Sequence, residues 1–240
     1  MTSEPTSNLA KGLPARVFGV LTSPRATYAD VVARPRALGV MVVVLMISIS
    51  ALVTFLSTEV GRQAVLDQQL RAIESFGITV NDATYERLQQ AGSRAPVIGA
   101  LGQAFSLLIG ALAVSGIALA VVHAVLGARV TFKQVFAVVA HSGVVLTLQS
   151  LFVLPLDYVR ETLASPTTLA AFMPVLDESS FVARLLGSID LFVIWWLISL
   201  AIGLGVLSQH RTAPIATAML VAYGGIGLTI AAVRSALAGA

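Results

Sequence analysis

The chain has no cysteine, which excludes disulfide bonds, thiolate nucleophiles and cysteine-ligated metals. It is also poor in charge, since Asp, Glu, Lys and Arg make up 11% of its 240 residues, against roughly 25% in soluble domains. This deficit argues against a soluble enzyme and against a nucleic-acid-binding protein. The chain is instead 57% hydrophobic with a mean hydropathy of +0.89, which predicts an integral membrane protein.

Five apolar runs are long enough to cross a bilayer, for which a helix needs about 20 residues. They occupy residues 38–57, 97–126, 134–155, 185–207 and 214–236. Lipid offers no hydrogen-bond partner to backbone groups, so each run is expected to be a helix. The sequence therefore predicts an all-α polytopic protein, with a bundle of five transmembrane helices over residues 37–240.

Residues 1–36 lack the short apolar core and cleavage site of a signal peptide, so we expect them to stay attached. Leu13 and Val17 share one helical face, and Ser23 with Pro24 is typical of a helix start. The segment is thus predicted to form two short amphipathic helices on the membrane surface. Four arginines are expected to contact that surface: Arg16, Arg25, Arg34 and Arg36.

The basic residues indicate an orientation. Eight of the fifteen are on the side of the N-terminus, in shorter segments than the other seven: Lys11, Arg16, Arg25, Arg34, Arg36, Arg129, Lys133 and Arg211. This density favours a cytoplasmic N-terminus, and five crossings then put the C-terminus outside. Thirteen of the fifteen are arginine, a bias common in GC-rich bacterial genomes, so the expected location is a bacterial cytoplasmic membrane.

The loop at 58–96 is predicted to be a helical cap on the outer side. Leu66, Leu70 and Ile73 recur at helical spacing, and Asn81 can cap a second short helix. A structureless loop of this length would be unusual in a compact protein.

Three segments together resemble the Yip1-domain family, in the form found in bacteria. They read RVFGVLTSPRATYADVVARP at 16–35, LGARVTFKQVFAVVAHSGVVLTLQSLFVLPL at 126–156 and IDLFVIWWLISLAIGLGVLSQHRTAPIATAML at 189–220. The resemblance implies five spans with a cytoplasmic N-terminus. Eukaryotic members are associated with Rab GTPases and early secretory traffic, but their DLYGP motif is absent here. The resemblance implies no catalytic residue.

Asp190 is the only acid inside a predicted span, and an ionisable residue in lipid is by default a candidate functional group. Gln103 and Gln149 are expected at a similar depth, and Arg234 could reach toward Asp190 from the last span. Such a cluster could bind a polar solute or an ion. The alternative is that the span starts at Ile189, with Ser188 as its N-cap and Asp190 as a favourable first-turn acid.

His141 lies about eight residues inside the third predicted span, where Tyr223 could meet it. An imidazole at such a depth suits proton relay. The alternative is a packed histidine with a satisfied hydrogen bond.

No serine-nucleophile, aspartyl-protease or P-loop motif occurs, so no enzyme, cofactor or metal is expected. The leading hypothesis is a membrane scaffold or adaptor whose N-terminal segment engages the lipid surface and a protein partner. Self-association into a homo-oligomer is compatible with it, and nucleic acid is not an expected partner. The competing hypothesis is a small transporter or channel that uses the polar cluster around Asp190.

Overall fold

The computed structural model describes residues 12–75, 79–92, 94–161, 165–173, 175–177 and 180–238. Within these ranges the chain forms ten α-helices and one short 3-10 helix, with no strand beyond an isolated bridge between Thr168 and Asp190. The predicted all-α class is confirmed. Lys11, counted above among the basic residues of the N-terminal segment, lies outside the described ranges.

Five helices are long and apolar enough to span a membrane, as predicted. They are α3 (Leu38–Leu56), α6 (Ala95–Ala124), α7 (Phe132–Arg160), α9 (Leu191–Ser208) and α10 (Thr212–Ala238). The remaining helices are α1 (Leu13–Thr22), α2 (Pro24–Ala33), α4 (Glu59–Ser75), α5 (Asp82–Gly92) and α8 (Phe181–Gly187).

Two boundaries differ from the sequence prediction in ways that matter for the polar residues. The third span runs to Arg160 instead of ending at 155, because Pro155 is accommodated inside α7. The fourth predicted span, 185–207, is interrupted: α8 ends at Gly187 and α9 begins at Leu191. The hydrophobic run continues across this break, so hydropathy alone could not locate it.

The centre of the bundle is formed by α7 and α9. Half of the apolar window of each is buried, against 17% in α6 and 11% in α10. The central helix α7 packs on α3, α6 and α9, and α10 packs on α9 and α8. Trp196 on α9 donates a hydrogen bond to Ser142 Oγ on α7 at 3.0 Å. The outward faces of α6 and α10 are therefore left for lipid.

The two N-terminal helices are packed into this bundle. α1 packs on α2 and α7, while α2 packs on α7 and α9. Thr27, Tyr28 and Val31 of α2 are fully buried. A side chain at Gly19 would collide with the Thr27 hydroxyl, so glycine permits the close contact of α1 with α2. Only the outer face of this helix pair remains at the surface.

The bundle has two distinct ends. The N-terminal end comprises α1, α2, the 125–131 segment between α6 and α7, and the 209–211 turn between α9 and α10. The opposite end carries α4, α5, residues 165–173 and the helix α8. α4 and α5 occupy the loop for which two short helices were expected, and Asn81 Oδ1 accepts a hydrogen bond from Thr84 N at 2.9 Å.

Candidate functional site

Asp190 is the N-cap of α9. It is 8% exposed, and its Oδ1 accepts hydrogen bonds from the backbone N–H groups of Phe192 and Val193, at 2.8 and 3.3 Å. An N-cap carboxylate satisfies backbone donors that have no partner inside the helix, and it interacts favourably with the helix dipole. The sequence alternative placed Ser188 as the N-cap and Asp190 in the first turn of the helix. In the structure Asp190 itself is the N-cap of α9, and Ser188 is the C-cap of α8.

The second carboxylate oxygen of Asp190 binds three side chains from two other parts of the chain. Oδ2 accepts hydrogen bonds from Thr167 Oγ1 at 2.6 Å, Gln149 Nε2 at 2.9 Å and Ser165 Oγ at 3.0 Å. Gln149 belongs to α7, whereas Ser165 and Thr167 belong to the segment that returns toward α9. Asp190 thus ties α7, α9 and this segment together.

The backbone around Asp190 is fixed as well. Leu169 N donates to Ile189 O at 2.9 Å and Leu191 N donates to Thr167 O at 3.0 Å. From α10, the Tyr223 hydroxyl accepts a hydrogen bond from Asp190 N at 2.9 Å and donates one to Ser188 O at 3.0 Å. The break between α8 and α9 is therefore satisfied by neighbouring elements, as buried polar backbone requires.

This arrangement defines what Asp190 can do. Its two oxygens accept five hydrogen bonds from protein donors. A carboxylate has about four lone-pair positions, so little capacity is left for a solute or an ion. The geometry favours a structural anchor over a transport site.

The predicted polar cluster comes together only in part. Gln149 contacts Asp190, but Gln103 lies in a separate cavity with Asp157. The Arg234 side chain is exposed, and the backbone oxygen of Arg234 accepts a hydrogen bond from the Arg184 guanidinium. In the described ranges Arg234 makes no ion pair with Asp190. The expected reach of Arg234 toward Asp190 is wrong, because the backbone N–H groups and Gln149, Ser165 and Thr167 already surround the carboxylate.

His141 is fully buried in α7, and its Nδ1 donates a hydrogen bond to Ala137 O at 2.7 Å. Its Nε2 has no partner among the described residues. The expected meeting with Tyr223 does not occur, because the Tyr223 hydroxyl is bound to the backbone around Asp190. No group of three or more acids or histidines that could hold a metal is found in the described ranges.

Asp157 is the acid that sequence reasoning missed. The predicted third span ended at residue 155, so this carboxylate was assigned to a loop, whereas it lies inside α7 and is 8% exposed. Its Oδ1 is buried and accepts no hydrogen bond within the described part of the chain. Asp157 would have been placed in the membrane helix if the third span had been extended past Pro155.

The arginines expected at the membrane surface fall into two groups. Arg25, Arg34 and Arg36 are exposed. Arg16 is 4% exposed, because its Nε donates to Asp30 Oδ2 at 2.8 Å and its guanidinium also donates to Arg34 O at 3.2 Å. The expected surface contact of Arg16 is therefore wrong: it joins α1 to α2 internally.

Tyr28 fixes α2 to the bundle. Its hydroxyl lies 2.8 Å from Ser199 Oγ on α9, and its ring packs on Gly203, where an added Cβ would lie 3.1 Å from the ring and collide with Val138. Burial raises the pKa of the Tyr28 hydroxyl far above its usual range, and the weaker effect of the Ser199 hydrogen bond lowers it. The hydroxyl is thus neutral at all ordinary pH values.

Five membrane-length apolar helices around a polar-anchored centre define a polytopic α-helical membrane protein, whose outward faces contact the lipid bilayer. The sequence model of the Yip1 domain matches residues 18–233. The chain belongs to the Yip1 domain family, and the resemblance noted from its sequence is confirmed. Comparison with curated proteins found no match, nor did comparison with solved structures.

Proposed function

We propose that this protein is a non-enzymatic membrane scaffold or adaptor whose N-terminal end faces the cytoplasm and binds anionic lipid together with a protein partner. The observation that carries the proposal is the docking of α2 by Tyr28, whose hydroxyl meets Ser199 and whose ring meets Gly203. Because α2 is held inside the bundle, Arg25 on this helix and Arg34 and Arg36 directly after it form a fixed surface rather than a flexible arm. Preorganised groups bind with a smaller entropic cost.

The N-terminal end concentrates exposed positive charge. Its exposed basic residues are Arg25, Arg34, Arg36, Arg129, Lys133 and Arg211. Each Lys or Arg close to an anionic membrane surface contributes about 1 kcal/mol of binding. A surface with six of them favours lipids with acidic head groups, or an acidic protein segment at the same membrane.

A cleft at this end supports recognition of a phosphate-bearing head group. It has a volume of about 650 Å³ and lies between α2 and the turn that joins α9 to α10. Arg25, His210 and Arg211 line it. Arginine binds phosphate through a planar fork of donors, so this pair of guanidinium groups suits a phosphate better than lysines would.

Apolar side chains on α1 complete the lipid-facing part of the surface. Leu13 is 39% exposed and Phe18 is 68% exposed. An amphipathic helix with exposed apolar side chains beside basic ones enters the boundary between head groups and acyl chains. In this proposal α1 lies in that boundary while Arg25 of α2 and the two arginines of the 34–36 segment meet the head groups.

The test is co-purification of the full-length protein from its native membrane in nanodiscs, with bound lipids and proteins identified by mass spectrometry. The variant Arg25→Gln/Arg34→Gln/Arg36→Gln removes three exposed charges at the N-terminal end. Its matched control, Arg71→Gln/Arg87→Gln/Arg94→Gln, removes three exposed charges at the opposite end.

The proposal expects the first triple variant to lose acidic lipid and the associated protein, and the control to retain both. Equal recovery from wild type and both variants contradicts a role for the N-terminal basic surface. Loss with the control alone would move the binding surface to the opposite end.

A further inference from the structure

A small cavity opens between α3, α6 and α7 at the opposite end of the bundle from α1. Its volume is about 140 Å³, far above the roughly 10–15 Å³ that one water needs. Apolar groups from α3 and α7 form much of its wall, and four polar side chains line it: Ser48, Gln103, Ser150 and Asp157. The polar side chains come from all three helices.

The Asp157 carboxylate is the unusual member of this lining. It is 8% exposed, and its buried Oδ1 accepts no hydrogen bond from the described residues. Arg160 follows one helical turn later and its positive charge acts on the carboxylate, but its side chain is exposed and makes no ion pair with Asp157 in the described ranges. A buried carboxylate oxygen without a hydrogen-bond donor is costly, which favours the uptake of a cation or a proton at Oδ1.

The contrast with Asp190 is informative. Both acids are 8% exposed in the same bundle, but Asp190 receives five hydrogen bonds from the chain. Asp157 faces a cavity and lacks such donors. Asp190 is therefore satisfied by hydrogen bonds from the protein, whereas Asp157 lies beside a cavity that can hold a ligand.

The other polar groups of the cavity can serve as oxygen ligands. The Ser48 hydroxyl and the Gln103 amide make no hydrogen bond within the described ranges. Ser150 Oγ donates to Leu146 O at 3.1 Å, which leaves its lone pairs available. Together with Asp157 they supply only oxygen donors, which suit hard cations.

We propose that this cavity binds a small monovalent cation of the sodium or potassium type. Asp157 is its charged ligand, and Ser48, Gln103 and Ser150 are its neutral ligands. One carboxylate balances one positive charge, whereas calcium sites use six to eight oxygens, typically including several carboxylates. Bound there, the cation joins α3, α6 and α7 and stabilises their packing.

This site is independent of the basic surface proposed above, because the two lie at opposite ends of the bundle and share no residue. A failure of either proposal leaves the other untouched.

The test is cation-dependent thermal unfolding of the full-length protein in detergent, followed by fluorescence of Trp195 and Trp196. Sodium or potassium chloride replaces choline chloride at constant ionic strength. A ligand that binds only the folded state raises the melting temperature in a saturable way. Wild type and the control Glu86→Gln, which removes an exposed acid of α5, are expected to show this rise, and Asp157→Asn is expected to lose it.

A melting temperature of wild type that does not change between choline and sodium or potassium overturns the proposal. An equal rise in Asp157→Asn overturns it too, as does a response to calcium or magnesium alone. Should Asp157→Asn fail to fold, Gln103→Leu keeps the carboxylate but fills the cavity and removes a ligand. Its sodium midpoint is expected to weaken about tenfold or more, and an unchanged midpoint counts against the site.

Discussion

The Tyr28 hydroxyl lies 2.8 Å from Ser199 Oγ although 171 residues separate the two in sequence. This contact joins the short helix α2, which precedes the first span, to the fourth span, and it is fully buried at Tyr28. The inner face of α2 is therefore packed against the core of the bundle. Substitutions that remove the contact between Tyr28 and Ser199 should destabilise the whole N-terminal end.

Replacing Tyr28 should loosen α1 and α2 in graded steps. Tyr28→Phe keeps the ring against Gly203 but leaves the Ser199 hydroxyl without this partner, a cost of about 1 kcal/mol. Tyr28→Ala also leaves a cavity and should cost about 3–5 kcal/mol. Limited proteolysis of residues 12–36 in nanodiscs measures the effect. Equal protection in all three proteins would mean that Tyr28 does not hold α2.

The same contact predicts a loss of stability at alkaline pH. A free tyrosine ionises near pH 10, whereas burial raises the pKa of Tyr28 well above that. Above pH 10 the unfolded chain has released this proton and the folded chain still holds it. Folding then weakens by up to about 1.4 kcal/mol per pH unit from this group, and its contribution is intact below pH 10.

The measurement is the melting temperature of wild type and Tyr28→Phe between about pH 9 and 11. Wild type should lose more stability over this interval than the variant, which has no hydroxyl to ionise at that position. Other tyrosines affect both proteins alike. Parallel curves would show that the buried hydroxyl does not titrate in the unfolding reaction.

Breaking the partly buried ion pair between Arg16 and Asp30 should loosen the contact of α1 with α2. The Arg16 Nε lies 2.8 Å from Asp30 Oδ2, and the arginine is 4% exposed. Removing one member of a fully buried pair costs about 3–5 kcal/mol, and the cost here is expected to be smaller because the Asp30 side chain is 18% exposed. Asp30→Ala should still lower the melting temperature, because it leaves the Arg16 charge without its carboxylate.

The matched control for Asp30→Ala is Arg25→Ala, at an exposed position of the same helix, where a change within about 0.5 kcal/mol is expected. The double variant Arg16→Met/Asp30→Ala should recover part of the loss, because no unpaired charge remains. A double variant less stable than Asp30→Ala would indicate a further role for Arg16, such as its bond to Arg34 O.

The sequence was sufficient to predict the five spans, because an apolar run long enough to cross a bilayer must form a helix in lipid. It could not predict which polar residues meet. Gln103 and Gln149 lie on different helices, and only the packing of the helices decides that Gln103 lines the same cavity as Asp157 while Gln149 binds Asp190. The five-donor environment of Asp190 depends on Ser165 and Thr167, which no hydropathy pattern connects to it.

The roles of Arg16 and Tyr28 could not be predicted from the sequence for a related reason. Basic and aromatic residues before a first span are typical of the membrane surface, and the sequence places Arg16 beside other arginines. Its burial arises from the tight contact of Gly19 with Thr27, which brings Asp30 within reach. Such a contact depends on the path of the chain between α1 and α2, which local patterns do not specify.

Asp190→Asn should destabilise the opposite end of the bundle without affecting solute flux. The amide can still accept backbone bonds through one oxygen, but its NH₂ group meets the donors Thr167, Gln149 and Ser165. Loss of charge-assisted bonds at about 1.5–3 kcal/mol each makes this a large change even after hydroxyl groups reorient. Proteolysis between residues 161 and 180 and the melting temperature should report it.

The control for Asp190→Asn is Glu86→Gln, an exposed acid on α5, which should leave both measurements unchanged. Ion flux in proteoliposomes provides the discriminating readout. A flux in wild type that disappears in Asp190→Asn while stability is retained would restore the transport hypothesis at this residue.

The orientation of the chain can be measured cleanly because the sequence contains no cysteine. Ala26 on α2 and Ala83 on α5 are exposed and lie at opposite ends of the bundle. With a cytoplasmic N-terminus, a membrane-impermeant maleimide added to intact cells should label Ala83→Cys and should label Ala26→Cys only after permeabilisation. The reverse pattern would place the basic end outside the cell, where the anionic lipid of the cytoplasmic leaflet cannot reach it, and the proposed role of that surface would fall with it.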